Sequence, residues 1–315
     1  MMRDSLAGAR FVNVRARLFN RPLLVEPGRG RLVVDSIVAA VGDRIGVDQL
    51  AWSDLEGHAG GALAAARLDD TGDRLRQPYD VFEGVAVIPI EGTLVHKLGT
   101  MRPFCGMTGY DGIEACFFQA AADPQVRRIV LHINSPGGEV DGCFDLVDAI
   151  HAYRTEETAK PVIAILDEMA YSAAYAIASA AEVITVPRTG GVGSVGVVAM
   201  HVDMSRRLDA EGITVTLVHA GAHKVDGRPE MPLSDDARAR LQAEVDATAG
   251  LFHRTVARNR GHAVSGITAD AVKALEARSF MGLTGEAVSS GLADLILSPA
   301  DAMARVIEDA AARPV

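Results

Sequence analysis

The chain has 315 residues, of which 49% are apolar and 23% charged, and carries a formal charge of −10 at pH 7. That length holds one large or two modest domains with a substantial core, and the apolar fraction is that of an ordinary soluble globular protein. The negative balance argues against nucleic-acid binding, which shows a basic footprint. The charge is uneven: residues 1–31 carry Arg3, Arg10, Arg15, Arg17, Arg21, Arg29 and Arg31 against Asp4 and Glu26. A solvated basic arm is preferred there over a dock for an acidic partner. Cys105, Cys116 and Cys143 have no CxxC spacing and read as free thiols of a reducing cytoplasm. Residues 1–30 hold no continuous apolar stretch of the kind a secretory signal needs. The longest uncharged run, Met169–Ala181, falls short of the roughly 20 apolar residues of a bilayer span, so a soluble, cytoplasmic protein is expected.

In chain order, Pro22-Leu-Leu-Val25 precedes a Glu-Pro-Gly turn, and Leu32–Leu50 has helical spacing. Residues 57–78 are small and polar without a period and read as a linker. An N-terminal arm and linker over 1–80, a catalytic core over 81–230 and a mainly helical part over 231–315 are therefore expected. In the core, Val85–Ile90 reads as a strand whose Pro89 suggests an edge or bulge, and Gly109–Ala122 as a helix ended by Asp123-Pro124. Arg128–Ile133 is a strand, Asn134-Ser-Pro-Gly-Gly138 a turn, and Val140, Phe144, Val147 and Ile150 one helical face. Val162–Leu166 reads as a strand, Asp167–Ser172 as a turn, Ser172–Ala181 as a buried helix and Val183–Val186 as a strand. A Gly-rich turn at Gly190–Gly196 leads to strands at Val197–Val202 and Thr214–Val218, separated by a short helix over Met204–Glu211. Beyond, Ser234 caps a helix striped by Leu241, Val245, Ala249, Phe252 and Val256. Thr268 and Thr284 read as caps of shorter helices, Leu292–Leu297 as a strand and Pro299–Ala311 as a last helix. Alternating strands and helices predict an α/β fold with a parallel-rich sheet.

Two strand–turn–helix units carry the chemistry. In a parallel sheet both turns emerge at the C-terminal strand ends, where α/β folds place their sites, and both feed helix N-termini, which favour negative charge. Ser172 is placed there as a nucleophile. Gly137 and Gly138, lacking side chains, let their amides approach a tetrahedral oxyanion. A serine hydroxyl needs a base near neutral pH. Lys224 follows a strand pattern among Gly221, Ala222 and Gly227; burial there would lower its pKa toward the neutral amine. Lys160, at a strand start before proline, reads as solvated.

Asn134-Ser-Pro-Gly-Gly138, Ala170-Tyr-Ser172-Ala-Ala-Tyr175, Gly193-Ser-Val-Gly-Val197 and His223-Lys224-Val-Asp-Gly227 together resemble the serine–lysine peptidases related to signal peptide peptidase. Within them the resemblance is to the bacteriophage capsid maturation proteases of the minor capsid protein C type, over roughly residues 20–300. It implies a ClpP/crotonase-like α/β fold, a Ser172–Lys224 dyad, an oxyanion hole using the Ser-Pro-Gly-Gly amides, and Ser194 holding the lysine amine. It implies a homo-oligomer in which Lys224 can act in trans, and protein substrates (scaffold, portal, capsid proteins or the chain itself) during prohead assembly; from the residues alone, no cofactor and no metal are expected. The linker at 57–78 is then a candidate self-cleavage region. One departure stands out: Ala173-Ala174 replaces the Gly-Gly that commonly follows the nucleophile in signal peptide peptidases, and two methyls narrow the nearby pocket.

Other readings are weighed against this one. Gly191–Gly196 matches GxGxxG, but β-like residues follow where a dinucleotide fingerprint must open a helix. His132, His201 and His219 lie in strand-like patterns, and one of them as the base of a Ser-His-Asp triad is the main rival; His223 adjoins Lys224. Ser135 reads as structural, and Asp167 and Glu168 as solvated. No metal-ligand spacing occurs. The alternatives for the whole chain are a soluble peptidase of spent signal peptides or other short peptides, a catalytically silent capsid-associated protein, and an acyl-CoA hydratase or isomerase on the same fold.

Overall fold

The computed structural model describes residues 23–25, 78–104 and 106–312. The basic arm, the helical pattern at Leu32–Leu50, the linker apart from Pro78, and Cys105 lie outside the described residues. In chain order the elements are β1 (Leu23–Val25), β2 (Asp80–Phe82), β3 (Val85–Val95), β4 (Met107–Gly109), α1 (Tyr110–Ala122), β5 (Arg128–Glu139), α2 (Cys143–Arg154), β6 (Val162–Tyr171), α3 (Ala173–Ser179), β7 (Val183–Val186) and β8 (Gly191–Gly193). They continue with α4 (Ser205–Ala210), α5 (Asp235–Arg260), α6 (Ala269–Lys273), β9 (Ser279–Met281), α7 (Glu286–Ser289), β10 (Leu295–Ile296) and α8 (Pro299–Ala312). The chain divides into two compact units, Met1–Leu23 with Val197–Leu251, and Leu24–Gly196 with Phe252–Val315.

The larger unit holds an α/β sheet whose main path is β10-β7-β6-β5-β3-β2, parallel along that path except for the antiparallel β2, with β9 antiparallel to β8 beside it. A parallel sheet covered on both faces needs strands that are apolar on both sides. Ile129, Val130, Leu131 and Ile133 of β5 and Val162–Leu166 of β6 are all buried. On one face Val85, Val130, Ile163 and Ile165 meet Ala302, Met303, Val306, Ile307 and Ala310 of α8. Arg128 fastens that helix through Asp309, at 2.9 Å. Pro89 is tolerated because β3 is bonded to β5 on one side only at that point: β2 covers Val85–Val87 and β4 covers Thr93–Val95.

Two expected turns are strand. β5 runs on through Asn134–Glu139, and α2 begins only at Cys143, after Gly142 at φ +81°. β6 likewise continues to Tyr171. Their pairing slips on the way: Ile133 faces Leu166 but Ser135 faces Ala170, so β6 carries two more residues than β5 across that gap. Asp167 and Glu168 fill it, exposed between buried neighbours. Gly191–Gly193, expected in a turn, is strand β8, bonded to β6 and β9; no helix follows it. Lys160 is not solvated as expected, since its ammonium donates to the Ala120 and Asp123 carbonyls at 3.0 and 2.5 Å, capping α1.

In the smaller unit the two expected strands do not form. Val198 makes only an isolated bridge with Leu23, at 2.7 and 3.0 Å, and Thr214–Val218 has no strand partner among the described residues. An alternating β-branched pattern favours extended backbone, but a strand needs a neighbour to bond. Ile213, Val215 and Val218 are exposed. Hence His201 and His219 lie outside any strand, whereas His132 sits in β5. Ser234 caps α5 through the Ala237 amide and Thr268 caps α6 through the Ala271 amide. Thr284 falls one residue early, the cap of α7 being Gly285. The strand expected at Leu292–Leu297 shortens to β10, paired with β7 at two positions.

Arg260, at the end of α5, is fully buried. Its guanidinium donates to Gly291 O and to both carboxylate oxygens of Asp294 (3.0 and 2.6 Å), and Asp294 also accepts from the Ile184 amide at 2.7 Å. Asp294→Ala strands a buried cation and a buried N–H, a loss expected to cost about 3–5 kcal/mol. Thermal unfolding should show it as a Tm lowered by roughly 10 °C.

Candidate active site

The site is built where β5 and β6 overrun the central sheet. Uncharged Val162–Leu166 carries β6 through the core, and Met169–Tyr171 re-enters pairing with β8. The chain then turns abruptly at Ser172, with φ 55° and ψ −119°, and α3 starts at the next residue. A non-glycine residue there is strained by about 1–3 kcal/mol and must be held by its surroundings. They hold it by the backbone: the Ser172 amide donates to Gly193 O at 2.9 Å, and the Ser172 carbonyl accepts the first helical bond from Ala176, also 2.9 Å. Ser172 is fully buried, and its Oγ has no hydrogen-bond partner among the described residues. A buried hydroxyl left unpaired costs free energy, which a structural serine would avoid.

Gly137, at φ +103°, lies directly against this serine. A methyl at position 137 would be 3.0 Å from Ser172 Cβ and 3.0 Å from Tyr171 O, and would collide with Leu24 O; one at Gly138 would collide with Leu94 O. Three backbones therefore converge where β5 has no side chain. Ser135 is structural, as expected: fully buried, it donates to Gly92 O at 2.7 Å and accepts the Gly137 amide at 3.1 Å. The Gly137 N–H is thus already engaged by a hydroxyl in this conformation. Ala173 and Ala174 are both fully buried.

Ser194 is buried and also sits at positive φ, +53°, with its amide on Arg278 O at 2.9 Å. The next residue, Val195, is hydrogen-bonded through its backbone to His253, which no sequence pattern singled out; burial lowers the His253 pKa from 6.5 despite that bond. In the same unit Cys143 is buried against Ala173 O, and burial pushes its thiol up to about 12. Cys116 is also a buried free thiol, raised by burial to about 12.

Lys224 belongs to the other unit. It lies exposed in a run of turns, its amide on Gly221 O at 3.2 Å, so this single chain does not supply the dry surroundings expected for it. The turn is tied to α5: Arg240 donates to Asp226 at 3.1 and 2.5 Å and to Asp236 at 2.5 Å, and His223 is 3.3 Å from Asp226. Asp226 was visible in the His-Lys-Val-Asp-Gly motif, but Arg240, fourteen positions on, had no local signal.

The model of peptidase family S49 matches residues 154–313, half of the chain. The chain belongs to peptidase family S49. The matched span contains Ser172, Ser194 and Lys224, and ends short of Gly137 and Gly138 on the N-terminal side. The chain is 40% identical over 294 residues to the head-tail preconnector protein GP5 of Enterobacteria phage P21, covering 92% of this chain and 56% of that protein. It is 37% identical over 298 residues to the capsid assembly protease C of Escherichia phage lambda, covering 95% of this chain and 65% of that protein. The chain thus spans less than two thirds of either relative. Among solved structures, a membrane-bound stomatin-specific protease in mutant form aligns over 68% of this chain and 79% of its own, at 15% identity and a TM-score of 0.41. No described helix is long and apolar enough to cross a membrane.

Two outcomes follow from this S49 site. Gly137→Ala should lower Tm, because its methyl meets the Leu24 and Tyr171 carbonyl oxygens and Ser172 Cβ at a φ that L-residues avoid. Acidification should destabilise the fold, because His253 is held below its ordinary 6.5. The unfolded chain takes up its proton first, so stability is complete above about pH 6.5 and is lost as pH falls toward the lowered folded value. A Tm series across that window should be flatter in His253→Gln.

Proposed function

We propose that this chain is a serine endopeptidase that processes phage prohead proteins during capsid maturation. Ser172 attacks the substrate carbonyl carbon, and Lys224, as its neutral amine, takes the hydroxyl proton and returns it to the leaving amine. Gly137 and Gly138 amides receive the oxyanion, which requires the Gly137 N–H to share or leave the Ser135 hydroxyl. Ser194 orients the lysine amine. The observation that carries this reading is Ser172 itself: a strained, buried serine with an unpartnered hydroxyl, pressed on a glycine strand. Strain and unsatisfied polar groups concentrate at functional sites, where they are part of the mechanism.

A general base must lose its charge, and a lysine in water keeps it. Lys224 therefore acquires its role in an assembly, where a neighbouring copy or the substrate covers it; action in trans in a homo-oligomer satisfies this. The setting in capsid maturation rests on the two phage relatives, whose names speak of capsid assembly and of the head–tail preconnector. Scaffold, portal and capsid proteins, or the chain itself, are the substrates this setting supplies, in the cytoplasm of the host.

The test is processing of a coexpressed scaffold or portal protein, followed by intact mass. Ser172→Ala and Lys224→Ala should each reduce cleavage by about 10⁴-fold or more, since members of a dyad act as a unit, while circular dichroism stays unchanged. Full processing by either variant overturns the assignment. Fluorophosphonate labelling of wild type between pH 6 and 10 separates a peptidase from a catalytically silent capsid component.

A further inference from the structure

β1 does more than extend the sheet. It pairs with β5, the strand that carries Gly137, and the Leu24 carbonyl oxygen occupies the space that a side chain at Gly137 would fill. Ser172 Cβ borders that same space. The side chains of Leu23 and Leu24 are withdrawn from water, at 6% and 0% exposure. An extended segment of this chain is therefore laid along the strand that borders Ser172, with the Leu24 carbonyl against Gly137 and two consecutive aliphatic side chains buried. An extended peptide recognised by adding a strand makes these interactions: ladder bonds for affinity and buried side chains for selectivity.

We infer that the β5 edge at Gly137 is a peptide-binding site for extended segments with adjacent aliphatic residues, and that residues 23–25 of the same chain occupy it as a built-in competitor. The inference rests on Ser172 being the nucleophile. A peptide reaching Ser172 must first displace β1, and its apparent affinity falls by the fraction of molecules in which β1 is already out. In the sequence this occupant is a short apolar run, Leu23–Val25, bounded by Pro22 and by Glu26-Pro27-Gly28. This also moves the self-cleavage question from residues 57–78 to the segment seated at the serine.

The experiment uses the full chain carrying Ser172→Ala, which removes turnover, and a fluorescein-labelled synthetic peptide with the sequence of residues 20–27. Fluorescence anisotropy should show this peptide binding about tenfold or more tightly when Leu24→Asp is added, because the competitor is weakened. Equal or weaker binding with the far-ultraviolet circular dichroism intact overturns the inference. Should Leu24→Asp fail to fold, hydrogen exchange of the Ser172→Ala chain decides the matter instead. Saturating peptide must speed exchange at the chain's own Leu24 and Val25 amides, and unchanged protection there overturns the inference. Fluorophosphonate labelling of the wild-type chain keeps the two readings apart. Displacement of β1 without any labelling refutes the serine nucleophile, whereas labelling without displacement refutes the built-in competitor.

Discussion

The absence of one methyl group, at position 137, governs the arrangement around the serine. Strand β5 passes so close to the Ser172 turn and to β1 that no side chain fits between them, and its φ of +103° is open only to glycine. That approach depends in turn on β5 and β6 outrunning the central sheet together, with Asp167 and Glu168 taking up the slack in β6. The strained serine then needs no support from its own side chain. Backbone bonds to Gly193 and from Ala176 fix it, so the hydroxyl carries no structural bond among the described residues.

The two units divide the work in physically different ways. The larger one is a doubly covered parallel sheet whose strands are apolar on both faces, and it alone supplies the rigid frame for Ser172, Gly137 and Ser194. The smaller one buries little; Gly212 to Thr216 and Val218 to Lys224 are exposed, and short ion pairs on Asp226 and Asp236 stand in for a core. Exposed ion pairs contribute little to stability, so the Lys224 turn is shaped by contacts that a binding event can easily reorganise. The proposed base, which must be dried to act, suits such a segment better than a rigid core.

The frame of this fold was legible because short, mostly β-branched or aliphatic runs such as Ile129–Leu131 and Val162–Leu166, bounded by turn residues, fit buried strands of a parallel sheet. The overruns were not legible: Asn-Ser-Pro-Gly-Gly has the composition of a turn, and only pairing with β3 and β6, distant in sequence, keeps it extended. The converse error at Thr214–Val218 has the same origin, a strand-like pattern with no partner. Ser172 and Lys224 stood out by motif, but the positive φ of the serine did not, since serine gives no hint of it. The seat of Leu24 beside Gly137 joins residues 113 positions apart, and no local pattern carries such a contact. Lys160 misled for the opposite reason: a charge next to a proline looks solvated until a helix end arrives to receive it.

The placement of α8 bears on how the molecule comes into being. The face of the sheet formed by Val85, Val130, Ile163 and Ile165 is covered by residues 302–310, so every strand of that face leaves the ribosome well before its cover does. During translation this apolar surface stays open until nearly all the rest of the unit has been made, and domains of this size fold as units rather than strand by strand. The apolar face of β3, β5 and β6 is thereby the last surface of the larger unit to be closed.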